Sequence, residues 1–136
     1  MPPLFPADLM PMKPVTIILT VGKSDNGKTA TLAFAAALAA AAMDQPTTLF
    51  LTGDGAVWGY KGSGEGISMQ GFPPLAQLID NYREAGGRML LCSVCHRTCS
   101  AGRPQDNPGI EMIDDVEIAG FATALDLASE GACLTF

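Results

Sequence analysis

The chain has 136 residues, 48% of them apolar and 16% charged, which suits one domain with a substantial core. Its net charge of −6 argues against a general nucleic-acid binder, which needs a face that neutralises phosphates. The most apolar run, residues 30–43, is shorter than the about 20 residues that cross a bilayer, so no membrane span is expected.

Residues 1–14 are rich in proline, lack the apolar segment of a secretory leader, and are read as an extended arm ahead of one domain over 15–136. Residues 15–21 (VTIILTV) form a continuous β-branched and apolar run, the pattern of a central strand covered on both faces. A polar turn over 22–28 leads into a helix over 29–43 dense in alanine, whose small side chains allow close packing. Residues 47–52 (TTLFLT) read as a second buried strand, closed by Gly53-Asp54-Gly55. Residues 56–71 are rich in glycine and without periodicity, as functional loops often are, and carry Trp58 and Tyr60 as anchors or covers.

A helix is expected over 74–85, with Leu75, Leu78, Ile79 and Tyr82 on one stripe, proline before it and Gly86-Gly87 after it. Residues 88–92 (RMLLC) read as a third strand ending in cysteine. Residues 110–116 are a short helix or a turn. Residues 117–130 show helical spacing at Ile118, Phe121, Ala122, Leu125 and Ala128, and 132–136 (ACLTF) form a last strand. Such alternation predicts an α/β fold: a single parallel sheet of four to five strands with helices on both faces.

Ligands of open parallel sheets bind beyond the carboxyl ends of the strands. Three polar segments leave those ends: 22–29, Gly53–Gly55 and 92–99. The last holds Cys92, Cys95 and Cys99, three of the four cysteines, with His96 and Arg97 between them. It lies in a locally basic stretch, with Arg83, Arg88, His96, Arg97 and Arg103 against Glu84, inside an acidic chain. Bunched thiols of this kind suit redox, sulfur or metal chemistry in a cytoplasmic protein more than a secreted disulfide scaffold. A helix starting after Cys92 would point amide groups at its sulfur, and Arg88, His96 and Arg97 would add donors, favouring a nucleophilic thiolate or an anionic hydropersulfide. The three cysteines and His96 also number four potential metal ligands. They lie in one local run, whereas zinc sites usually join two separated pairs, and no metal or other cofactor is expected. Cys133, within the last strand, reads as a small buried apolar residue.

Gly22-Lys-Ser-Asp-Asn-Gly27-Lys28-Thr29 matches the P-loop pattern and lies between a strand and a helix, where Gly27, Lys28 and Thr29 would hold an anion. The second strand, however, lacks an aspartate capping it directly. Nucleotide hydrolysis is not expected, and sulfate or phosphate is the kind of ion the turn could accept.

VTIILTVG, the alanine-rich helix, TTLFLTGDGAV and PLAQLIDNYREAGGRMLLCSVC together resemble the DsrE/DsrF-like family over residues 15–136. The resemblance implies a parallel α/β sheet, homo- or hetero-oligomers, and a cysteine just after the third strand that accepts sulfur as a persulfide. That cysteine is Cys92 here, with Cys95 assisting or resolving it. Relatives often carry Arg-Gly a few residues after the second cysteine, where this chain has Cys99-Ser100, which leaves Cys99 as a third candidate reactive thiol.

The expected function is that of a sulfur carrier, with sulfur donor and acceptor proteins or small sulfur compounds as partners and a homotrimer or homohexamer as the assembly. His96, Arg97, Gly53, Asp54 and Gly55 would bind the ligand. Two other readings are a non-catalytic thiol- or anion-binding module and a P-loop-like nucleotide-binding protein.

Overall fold

The computed structural model describes residues 13–98 and 110–136, so residues 1–12 of the expected arm, and Cys99, lie outside the described residues. Five strands, β1 (Val15–Leu19), β2 (Thr47–Leu51), β3 (Arg88–Cys92), β4 (Glu117–Ala119) and β5 (Ala132–Thr135), form one sheet in the order β4-β3-β2-β1-β5. Every neighbouring pair is parallel. The expected α/β architecture is therefore the observed one.

The helices are α1 (Lys28–Ala42), α2 (Leu75–Glu84), α3 (Ser93–Thr98) and α4 (Phe121–Ala128). The β1-α1-β2 and β2-α2-β3 crossovers step across the sheet in one direction, and β4-α4-β5 returns in the other. Right-handed crossovers then put α1 and α2 on one face and α4 on the opposite face. All five residues of β2 are buried, as a central strand between two helical layers requires.

Burial follows the sequence pattern. On α1, Ala30, Ala33, Phe34, Ala37 and Ala41 face inward, and their small side chains bring the helix down onto β1 and β2. On α2 the inward residues are Leu75, Leu78, Ile79 and Tyr82. The Phe34 and Tyr82 rings meet edge to face with centroids 6.1 Å apart. The Tyr82 hydroxyl donates to the carbonyl of Arg88 at 2.7 Å, tying the end of α2 to the start of β3. On the other face, Phe121 of α4 meets Phe50 of β2 at 5.6 Å.

The structure corrects the reading of residues 117–130. Glu117–Ala119 is a strand, and the helix begins at Phe121 after Gly120, whose backbone is extended at φ −102° and ψ −179°. Pairing overrides helical spacing here because the outer edge of β3 would otherwise leave peptide groups without partners. Arg88 pairs with Glu117 across this edge at 2.8 Å. Residues 110–116 are neither helix nor simple turn. Met112 bridges Tyr60 in antiparallel fashion, Lys61 donates its amide to Glu111 at 2.8 Å, and Ile113 donates to Gly59 at 2.9 Å before the chain turns back to Val116.

The register positions the site. Leu19 pairs with Leu51, and Leu51 with Leu91, so the first three strands end level. The segments leaving them then touch: Gly55 lies against the backbone of Leu19 and Thr20, and Gly22 against that of Asp54. A Cβ on Gly55 would run into the Leu19 carbonyl. Gly55→Ala is therefore expected to lower stability in chemical denaturation by roughly 1–3 kcal/mol, the usual cost of overpacking. Gly120→Ala, where the nearest atom is 4.0 Å away, should change it by less than about 0.5 kcal/mol.

Candidate functional site

Cys92 is the last residue of β3 and Cys95 lies in the first turn of α3. Both are buried free thiols. The helix begins immediately after Cys92, so its first amides have no carbonyl partners within the helix. Hydrogen bonding from two of them, those of Val94 and Cys95, acts to lower the Cys92 pKa. Hydrogen bonding from the Thr52 hydroxyl and the Cys95 thiol acts in the same direction.

Cys95 is reached from the neighbouring strand. The Gly53 amide donates to its Sγ at 3.1 Å, and Thr52 Oγ1 lies 3.8 Å from the same atom. Thr52 ends its strand extended, and Gly53 turns the chain at φ +58°, a conformation that favours glycine. The turn thus brings an amide and a hydroxyl from the end of β2 to sulfur atoms at the end of β3.

Electrostatics separate the two thiols. Burial pushes both up, because it disfavours the charged form. At Cys92 the hydrogen bonds from the Cys95 amide, Thr52, the Cys95 thiol and the Val94 amide outweigh burial, and the net direction is down. At Cys95 the Gly53 amide and Thr52 pull down, but burial and the charge on Cys92 win, and the net direction is up. Cys92 is therefore the more readily ionised of the two and Cys95 the more firmly protonated.

The expected cations are not the source of this effect. Arg88 sits at the opposite end of β3, about 13 Å away at strand spacing, and pairs with Glu117. Arg97 is exposed on α3. His96 binds Tyr60: its Nδ1 lies 2.7 Å from the tyrosine hydroxyl, and the rings stack 15° from parallel with centroids 6.0 Å apart. This contact fastens the chain after Gly53–Gly59, a 3-10 helix, onto α3. Trp58 of that segment is fully buried and donates its indole N–H to the Val21 carbonyl at 2.9 Å, so it anchors the segment in the core.

The P-loop-like turn is filled from within. The Asp25 carboxylate accepts hydrogen bonds from the Gly27 amide at 3.1 Å, the Thr29 amide at 2.9 Å and the Thr29 hydroxyl. The amides expected to hold an anion already hold one, and it is part of the chain. A phosphate there would meet both occupied donors and a like charge. Lys28 is exposed, as is Asp54 in its turn. Cys133 is exposed on β5, contrary to the expectation that it is buried. Among the described residues no three His, Cys, Asp or Glu side chains gather as metal ligands, and no helix is long and apolar enough to cross a membrane.

The structure thus brings together Cys92, Cys95 and Gly53. Thr52 belongs with them although the sequence did not single it out as a ligand. Its signal was present as a hydroxyl residue between the apolar run of β2 and the Gly-Asp-Gly turn.

A model of the DsrE/DsrF-like family matches residues 13–136. The crystal structure of the ychN protein from E. coli shares the fold, with a TM-score of 0.71 at 18% identity, over 92% of this chain and 100% of that one. No curated protein matches the chain.

The shared hydroxyl gives a direct test of the thiolate assignment. Thiolate forms as pH rises through the pKa, so a lowered pKa places the Cys92 transition at lower pH than that of an unfolded thiol. Thr52→Val removes one stabilising donor and should move the transition upward. Ultraviolet thiolate absorbance, measured with Cys99 and Cys133 replaced by serine, reads the shift.

Proposed function

The chain belongs to the DsrE/DsrF-like family, and on that premise we propose that it is a sulfur carrier that accepts sulfur on Cys92 as a persulfide. The observation that carries this reading is Cys92 itself, buried at a strand end where a helix begins, with hydrogen-bond donors that lower its pKa against the effect of burial. Such donors stabilise a thiolate, the form in which cysteine attacks sulfur.

In the proposed step the Cys92 thiolate attacks the outer sulfur of a polysulfide or of a donor persulfide. A bond forms between Cys92 Sγ and that sulfur, the donor's sulfur–sulfur bond breaks, and the donor leaves as a thiolate or shortened polysulfide. The amides that hold the Cys92 thiolate keep negative charge favourable at the loaded cysteine. Sulfur donor and acceptor proteins, or small sulfur compounds, are the partners in this scheme.

We also propose a homo-oligomer, a trimer or hexamer, supported by large apolar side chains left exposed. Ile118 of β4, Phe121 and Leu125 of α4, and Leu134 of β5 are all about half exposed or more. Phe121 and Leu125 lie one turn apart on α4, and exposed apolar patches mark association surfaces.

Two measurements check these readings. After exposure to polysulfide, the intact mass should rise by one or more sulfur masses that a reductant removes, and Cys92→Ser should reduce this loading at least about tenfold. Equal loading of the parent and Cys92→Ser would remove the assignment. In sedimentation the parent should have the mass of three or six chains, and Leu125→Glu should dissociate it. A parent with the mass of one chain would end the oligomer proposal.

A further inference from the structure

We propose that Cys95 resolves a persulfide formed on Cys92, so that the protein releases sulfide and becomes an internal disulfide. This activity rests on the sulfur-accepting reading of Cys92 but differs from carriage, in which the sulfur leaves intact for an external acceptor.

Access to the loaded sulfur favours an internal thiol. Cys92 is 0% exposed and Cys95 is 7% exposed, so an outside acceptor must displace part of the site to reach the loaded sulfur. Cys95 needs no such movement, because it is itself buried in the first turn of the helix that begins directly after Cys92. The donor set on Cys95 favours it as well. A thiol that served only to donate a proton to Cys92 would have no need of an N–H donor. Yet the Gly53 amide is directed at its sulfur at 3.1 Å, with the Thr52 hydroxyl at 3.8 Å. Those groups stabilise the charge left on Cys95 as its proton passes to the departing sulfur. A proton is also at hand. Cys95 is the more firmly protonated member of the pair, and the departing sulfur requires one proton.

The step balances as follows. The Cys95 sulfur attacks Sγ of the Cys92 persulfide anion, and a Cys92–Cys95 sulfur–sulfur bond forms. The bond from Cys92 Sγ to the outer sulfur breaks, and the outer sulfur leaves with that electron pair and the Cys95 proton, as hydrosulfide. Over loading and resolution together, the two cysteine thiols lose two electrons and the donor's zero-valent sulfur is reduced to sulfide. A dithiol reductant then returns the pair to its thiol form by exchange, which makes the cycle consume two electrons for each sulfide released.

The experiment exposes the full-length parent, Cys92→Ser, Cys95→Ser and Cys99→Ser to inorganic polysulfide. Excess polysulfide is removed, and intact mass and released sulfide are followed over time. The parent should release about one sulfide per chain and finish two hydrogen masses lighter, as a disulfide. Cys95→Ser should keep the added sulfur and release at least about tenfold less sulfide. Retention of sulfur by the parent, with release no different from Cys95→Ser, would overturn the inference and leave the carrier reading standing. Trapping by Cys99→Ser instead of Cys95→Ser would overturn it in favour of another resolving thiol. If neither the parent nor Cys95→Ser shows any gain of sulfur or of disulfide, both readings fall together.

Discussion

The level ending of β1, β2 and β3 is the constraint on which the thiol pair depends. Each parallel ladder fixes its neighbour's register, so Leu19, Leu51 and Leu91 lie in one row and the residues after them leave the sheet together. A slip of one residue would reverse the faces of a strand and carry its apolar side chains out of the core. Because β2 is buried along its whole length, that slip is costly. The burial of Leu49, Phe50 and Leu51 therefore does more than stabilise the fold. It also places the Thr52 hydroxyl and the Gly53 amide beside sulfur atoms about 40 residues further along the chain.

The site uses dipoles where cations were expected. A buried cation near Cys92 would itself have to be desolvated, at a cost that often cancels the attraction. Backbone amides at a helix start and at a turn are fixed by the fold and carry no net charge to bury. They also act on the two sulfurs unequally. Cys92 receives amides from its own helix, while Cys95 receives the amide of a neighbouring turn and feels the charge of Cys92. The Tyr60–His96 contact supports this division by fastening the chain beyond the Gly53–Gly59 segment to α3.

Much of this was legible in the residues. Continuous apolar strands, the α2 stripe and the helical start after Cys92 follow from local pattern, and the structure has them where that pattern puts them. What the pattern misread depended on pairing across the chain. Glu117–Ala119 carries helical spacing but is drawn into the sheet by the open edge of β3. Arg88 is near Cys92 in sequence, yet the rise of an extended strand separates them. The P-loop letters hid a contrary signal in plain view, since Asp25 stands four residues before Thr29, the spacing that lets a carboxylate reach back onto a helix start. Thr52 reads as the last residue of the second strand, and only the β2–β3 register shows that its hydroxyl faces sulfur.

The central claim is that the Cys92 sulfur is the one that takes up sulfur. Cleavage after arginine places Cys92 and Cys95 together in the peptide from Met89 to Arg97 and puts Cys99 in the next one. The most direct test is peptide mapping of the Cys95→Ser protein after brief polysulfide exposure and alkylation, with fragmentation to locate the added sulfur. The account predicts an alkylated persulfide on Cys92. Added sulfur on Cys99 or Cys133, with Cys92 recovered as an unmodified thiol, would contradict it.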